Sequence, residues 1–206
     1  MNKTNSRYMI FTLFVASILW YLLFVIKPMN FWIEMTLSIS TLVLMAYIFS
    51  KDKIRLGKIN VRHIVIGVLS AILLYIVFYF GNIISGFLFP FKDAQVMSVY
   101  SNRSNGSAIG IGLLLLFIIG PGEEIYWRGF VQNTLSKRLG ENKGYVISVL
   151  LYAGVHIITG NVMLVIAAFV CGIFWGWIYK KEKSLLPVMI SHAIWDLTIF
   201  VIIPLM

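Results

Sequence analysis

Apolar runs long enough to cross a lipid bilayer recur from one end of this chain to the other. At about 20 residues per crossing, they read at 8–26, 31–49, 63–89, 108–130, 162–179 and 185–205, with a weaker one at 144–160. The 206 residues are 60% hydrophobic and only 12% charged, with a mean hydropathy of +0.89. A soluble domain of this length would need a far more polar surface. The chain is therefore expected to fold as an all-α, polytopic integral membrane bundle of about seven transmembrane helices. No linker, low-complexity tract or internal repeat divides it, so a single membrane domain is expected. Helices 1–3 and an outer loop would occupy 1–107, and a core of helices 4–7 would occupy 108–206.

The basic residues test this count. A formal charge of +9 invites a nucleic-acid reading, but these residues fall between the apolar runs, as a topology signal does. With the N-terminus in the cytoplasm, Lys3, Arg7, Lys51, Lys53, Arg55, Lys58, Arg62, Lys137, Arg138, Lys143, Lys180, Lys181 and Lys183 lie inside. Lys27, Lys92 and Arg103 lie outside, and Arg128 falls within a span. This lopsidedness is what the positive-inside rule predicts, and seven spans then put the C-terminus outside. The first apolar run follows Lys3 and Arg7, but its core exceeds that of a cleavable signal and no small-x-small site follows. It reads as an uncleaved span. With Cys171 as the one cysteine, no intramolecular disulfide can form.

Chemistry is expected where charge sits at membrane depth. Of eight acidic residues, Glu123, Glu124 and Asp196 lie inside apolar runs. An ionisable group there costs a few kcal/mol or more. Glu123 and Glu124 follow the apolar stretch Leu113 to Ile119 and the tripeptide Gly120-Pro121-Gly122, which is expected to interrupt the helix. Glu124 and Arg128 are spaced i,i+4 and can pair on one face. Glu123 lies about 100° around from Glu124 and can point elsewhere. The same spacing joins Tyr152 to His156 and His192 to Asp196. At about 1.5 Å per residue, Glu123 lies about 22 Å from the outer start of its span. His156 and His192 lie about 18 Å and 10 Å from the inner face by the same rise. In a core about 30 Å thick, all three can share one cavity.

Plainer roles suffice for other residues. His63, beside Arg62, reads as interfacial, and Glu34 as lying at the outer interface. Gly172 and Gly176 read as close helix packing, and Trp175, Trp177 and Tyr179 as packing and an aromatic belt. A Glu124–Arg128 pair alone is more often a structural clamp, and His156 alone a packed histidine. Glu123 and the His192–Asp196 pair have no such excuse. Buried Glu, His and Asp also form proton relays, so a proton-coupled transporter competes. Transport predicts paired broken helices in two related halves, and only one break is visible.

The order Glu-Glu-x-x-x-Arg, aromatic-x-x-x-His, His-x-x-x-Asn or Asp, on successive spans, resembles a known family. In this chain it reads GEEIYWRGFVQ, LYAGVH and FVCGIFWGWIYKKEKSLLPVMISHAIWD, over roughly 108–200. These motifs resemble the CAAX-protease and bacteriocin-processing (CPBP) intramembrane proteases, whose eukaryotic relatives are the type II CAAX prenyl endopeptidases. The first hundred residues match nothing beyond being apolar.

The resemblance implies Glu123 as general base, with His156 helping to hold the attacking water. It implies His192 and Asp196 as the pair stabilising the oxyanion, and Glu124 with Arg128 as a supporting ion pair. Two positions depart from the commoner pattern. Tyr152 stands where Phe is frequent, and its ring is expected to pack as Phe would. Asp196 stands where Asn is frequent, and an ionised aspartate cannot donate to an oxyanion. Asp196 is therefore protonated, or orients His192, or ligates a metal. The family has been regarded both as metalloproteases and as metal-independent glutamate proteases. Glu123, His156 and His192 are the candidate ligands for zinc, but no H-E-x-x-H helix is present, and a metal-free mechanism with no cofactor is preferred.

The function implied is that of an intramembrane endopeptidase, cutting a membrane-embedded protein or peptide with a glutamate-activated water. The alternative is a non-proteolytic membrane scaffold or bacteriocin self-immunity protein that keeps the fold. The expected surroundings are the lipid bilayer, with no nucleic acid, in a bacterial cell membrane.

Overall fold

The structure, a computed structural model, describes residues 3–50, 54 and 56–205. Lys51, Lys53 and Arg55, counted above as inside, lie outside the described residues. The chain is helical nearly throughout. α1 spans Lys3–Tyr21 and ends in a π-helical turn, Leu22–Ile26; α2 spans Phe31–Phe49, α3 Val61–Leu88 and the short α4 Lys92–Tyr100. α5 runs over Ala108–Leu139. α6, Glu141–Gly154, continues as a 3-10 turn over Val155–Thr159, and α7 spans Val162–Glu182. α8 spans Leu186–Ile202.

Short polar side chains mark the helix starts, because the first turn of a helix leaves backbone N–H groups without partners. Asn30 Oδ1 accepts from Trp32 N at 3.0 Å, and Asn60 Oδ1 from His63 N at 2.7 Å. Ser107 Oγ and Asn161 Oδ1 do the same for α5 and α7. Among the described residues, five helices are long and apolar enough to cross a membrane: Arg7–Ile26, Phe31–Phe49, Val61–Leu88, Ala108–Leu139 and Val162–Glu182. α8 is apolar but shorter. Among the described residues these helices and the shorter α6 form a polytopic helical bundle of seven helices plus α4. Large apolar side chains such as Phe14, Leu44, Leu69, Phe80 and Phe117 are exposed on its outer faces, as a protein solvated by lipid requires.

The helix starts and stops divide the bundle into two ends. At one end lie Lys58, Arg62, Lys137, Arg138, Lys143, Lys180, Lys181 and Lys183. There Arg62 Nη2 bonds Glu182 Oε1 at 2.8 Å, His63 Nε2 lies 3.6 Å from Glu182 Oε2, and Lys183 pairs with Glu141. At the other end lie α4, Lys27, Lys92 and Arg103. The two are called the basic end and the α4 end below. α8 packs against α3, α5 and α7, while α4 packs against both α3 and α7.

One local expectation is corrected. Gly120-Pro121-Gly122 does not interrupt α5. The helix runs through it, with π-helical turns at Leu115–Ile119 and Ile125–Gln132 on either side. Gly120 N bonds Leu115 O in the wider register, and such turns absorb the donor that proline lacks. The glycines serve close approach instead: a Cβ on Gly120 would stand 3.0 Å from Ala193 Cα, and one on Gly122 2.3 Å from Ile39 Cγ2. Glu34 lies in the first turn of α2, at the α4 end, with its side chain buried and Oε2 without a partner among the described residues. Gly172 and Gly176 do face a neighbouring helix, with Tyr152 and Tyr145 of α6 against them.

Candidate active site

Glu123 and Glu124 are adjacent in sequence but point to different neighbours, because successive residues of a helix are turned about 100° apart. Glu124, fully buried, is held from two sides. Its Oε1 accepts from Arg128 Nη1 at 3.0 Å and lies 2.7 Å from His192 Nδ1. Its Oε2 is buried with no partner among the described residues. Arg128 Nη2 reaches the Cys171 carbonyl at 3.4 Å, and its guanidinium lies 4.6 Å from the centre of the Tyr152 ring. A cation over an aromatic face is attracted by the ring quadrupole.

His192 is fixed on every side. Its ring stacks on Trp175 with centroids 3.8 Å apart, and Trp175 Nε1 donates to Ser191 Oγ at 3.1 Å. Its Nε2 lies 3.4 Å from Asp196 Oδ2. Both ring nitrogens therefore face carboxyl oxygens. With a proton on Nδ1 for Glu124, the Nε2···Oδ2 contact needs one more, carried by either atom.

Glu123 faces α6. Its Oε2 accepts from the Tyr152 hydroxyl at 3.0 Å, and Oε1 has no protein partner among the described residues. His156 Nδ1 lies 2.8 Å from the Tyr152 carbonyl. A carbonyl only accepts, so Nδ1 carries the hydrogen and Nε2 presents its lone pair. Trp20 of α1 packs edge-on against His156, with centroids 5.7 Å apart. Tyr152 thus joins the two halves of the site: its hydroxyl holds Glu123, its carbonyl holds His156 and its ring lies against Arg128.

All six residues singled out from the sequence come together, in two layers. Glu123, His156, His192 and Asp196 line one cavity of about 300 Å³, with otherwise mostly apolar walls. Glu124 and Arg128 stand behind them, outside the lining. Tyr152 and Trp175 also line it, and both were taken from sequence as packing aromatics. Spacing could not reveal the Tyr152 hydroxyl bond or the Trp175 stack, since each depends on a helix remote in sequence. Among the described residues, no group of three or more His, Cys, Asp and Glu stands arranged to hold a metal ion.

The helical bundle thus gathers two carboxylates, two histidines and a buried ion pair around one cavity. Residues 105–198 match the family model described as Rce1-like, type II CAAX prenyl endopeptidase Rce1-like. Over that core, a little under half of the chain, the protein is similar to type II CAAX prenyl endopeptidases. No curated protein and no solved structure matches it.

Proposed function

We propose that the chain is an intramembrane endopeptidase that hydrolyses a peptide bond of a membrane-associated protein or peptide, using a water activated by Glu123. One observation carries the reading: of two adjacent buried glutamates, only Glu123 faces the cavity, with one oxygen held by Tyr152 and the other without a protein partner among the described residues. A base must reach the proton it removes, and Oε1 is the atom placed to do so.

In this reading a water sits between Glu123 Oε1 and the lone pair of His156 Nε2. Glu123 takes one of its protons as the oxygen attacks the peptide carbonyl carbon. The carbonyl oxygen becomes an oxyanion and accepts from the proton held at the His192–Asp196 contact. At 3.4 Å that contact is looser than a good hydrogen bond, so its proton can turn towards a stronger acceptor. As the tetrahedral intermediate collapses, the C–N bond breaks and the proton on Glu123 passes to the leaving nitrogen. Donors fixed before the charge develops are what make such a site effective. Glu124 and Arg128 keep His192 in place without touching the substrate. The core 108–206 carries this machinery and 1–107 forms the remaining wall. The basic end lies in the cytoplasm with the N-terminus, on the positive-inside rule.

The test is comparative membrane proteomics of a null strain, a Glu123→Gln strain and the parent. Glutamine keeps size and hydrogen bonding but cannot accept the water's proton at neutral pH. The same uncut precursor should accumulate in the null and in Glu123→Gln, with the variant protein present at normal level. A Glu123→Gln strain indistinguishable from the parent overturns proteolysis in favour of a scaffold or immunity role.

A further inference from the structure

The cavity that holds Glu123 is lopsided along the membrane normal. Its walls are drawn from the halves of the helices nearest α4: the start of α2 at Phe31 and Trp32, the second half of α3, and the first half of α7. α4 itself contributes Gln95, Val96 and Val99. Towards the basic end the site is closed. Tyr126, Trp127, Phe130 and Val131 follow Glu124 along α5 at 0–1% exposure, and Gln132 Nε2 is bonded to the Gly176 carbonyl at 2.9 Å. Among the described residues, none at the basic end lines the cavity.

The α4 end also carries a polar group that the catalytic reading leaves unused. Asn82 lies within the membrane-spanning α3 and lines the cavity. Among the described residues its carboxamide has no hydrogen-bond partner. Such a group at membrane depth is costly unless it meets one. A carboxamide offers a donor and an acceptor side by side, which match the C=O and N–H of an extended peptide. By helix rise, Asn82 lies about 10 Å from the α4 end of its helix and Glu123 about 22 Å from that of its own. The difference of about 12 Å equals three or four residues of extended chain at ~3.3 Å each.

We propose that the substrate enters from the α4 end, as an extended apolar segment whose backbone pairs with Asn82 three or four residues from the bond cut at Glu123. The segment is delivered from the membrane face opposite the basic end, which is the outer face on the positive-inside rule. This rests on the proteolytic reading, but its first test needs no cleavage.

Cys171, the one native cysteine, is replaced by alanine in the full-length chain, and Ala167→Cys is introduced in the cavity wall. Ser104→Cys and Lys143→Cys, both exposed, mark the α4 and basic ends in separate proteins. Each is treated with the membrane-impermeant reagent 2-sulfonatoethyl methanethiosulfonate, in intact cells and in inverted membrane vesicles. Ala167→Cys should react from the side that modifies Ser104→Cys, at least tenfold faster than from the other. Reaction from the Lys143→Cys side overturns the proposal. So does modification only by the permeant N-ethylmaleimide, which would mean entry from the lipid. In the second arm, the precursor found with Glu123→Gln is cleaved by Asn82→Leu and Asn82→Gln proteins. KM should rise about tenfold for leucine with kcat little changed, and glutamine should recover part of it. An unchanged KM removes Asn82 from the subsite. Failure to find any precursor would instead strike the proteolytic reading, leaving the access result standing.

Discussion

His192 Nδ1 lies 2.7 Å from Glu124 Oε1, joining residues 68 positions apart. The contact ties the third motif to the second glutamate of the first, not to the proposed base. Glu124 therefore serves two cations or donors at once, Arg128 along its own helix and His192 across from α8.

Removing one partner of such a buried pair leaves an uncompensated charge, at a cost of about 3–5 kcal/mol. Arg128→Ala should thus sharply reduce the protein recovered folded from membranes, as read by size-exclusion profiles in detergent. Adding Glu124→Gln should restore part of that yield, because the orphaned carboxylate is gone. Strictly additive losses would show that the pair is not coupled.

Tyr152→Phe removes only the hydroxyl that donates to Glu123 Oε2. The ring remains under Arg128 and the backbone carbonyl still meets His156. Folded yield should hold, while kcat/KM drops about 10- to 100-fold, the worth of a hydrogen bond to a charged group at roughly 1.5–3 kcal/mol. A rate equal to the parent's would make the hydroxyl a bystander and return Tyr152 to a packing role.

Asp196→Asn separates the readings of the residue that faces His192 Nε2. A carboxyl donates only while protonated, so the parent loses its donor as pH rises through the ionisation of Asp196. Asparagine keeps an amide donor at every pH. If Asp196 donates, the variant should match the parent at low pH and stay active to higher pH. If an ionised Asp196 orients His192, the variant should be slower throughout, by the ~10²–10³ typical of a lost catalytic donor. pH–rate profiles of both proteins, with and without a chelator, distinguish these outcomes and test for a metal in the same experiment.

Gly144→Ala and Gly86→Ala should behave oppositely. A Cβ on Gly144 would stand 2.4 Å from the backbone N and Cα of Ser136, so α6 must move away from the end of α5. Overpacking of this kind costs about 1–3 kcal/mol. A Cβ on Gly86 would meet nothing within 4 Å, and alanine there is favoured over glycine in a helix by up to ~1 kcal/mol. Thermal melts in detergent should show a lower midpoint for the first and an equal or higher one for the second.

Much of the fold was legible because lipid imposes a simple rule: a spanning helix must be long and apolar. The apolar runs and the grouping of basic residues at one end were readable in this way. The i,i+4 pairs were readable too, because helix geometry is local. Gly120-Pro121-Gly122 was misread as a break because local rules treat proline as a helix breaker. The flanking π turns at 115–119 and 125–132 carry no local signature of that kind.

The sequence by itself determined which residues could be charged at membrane depth, since hydropathy and spacing are properties of the chain alone. Only the tertiary structure decided what each of them faces. Glu123 and Glu124 have the same chemistry and neighbouring positions, yet one lines the cavity and the other stands behind it. That division depends on where α6 and α8 pack against α5. It is set by glycine close approaches and aromatic stacking between helices remote in sequence, contacts that no local pattern encodes.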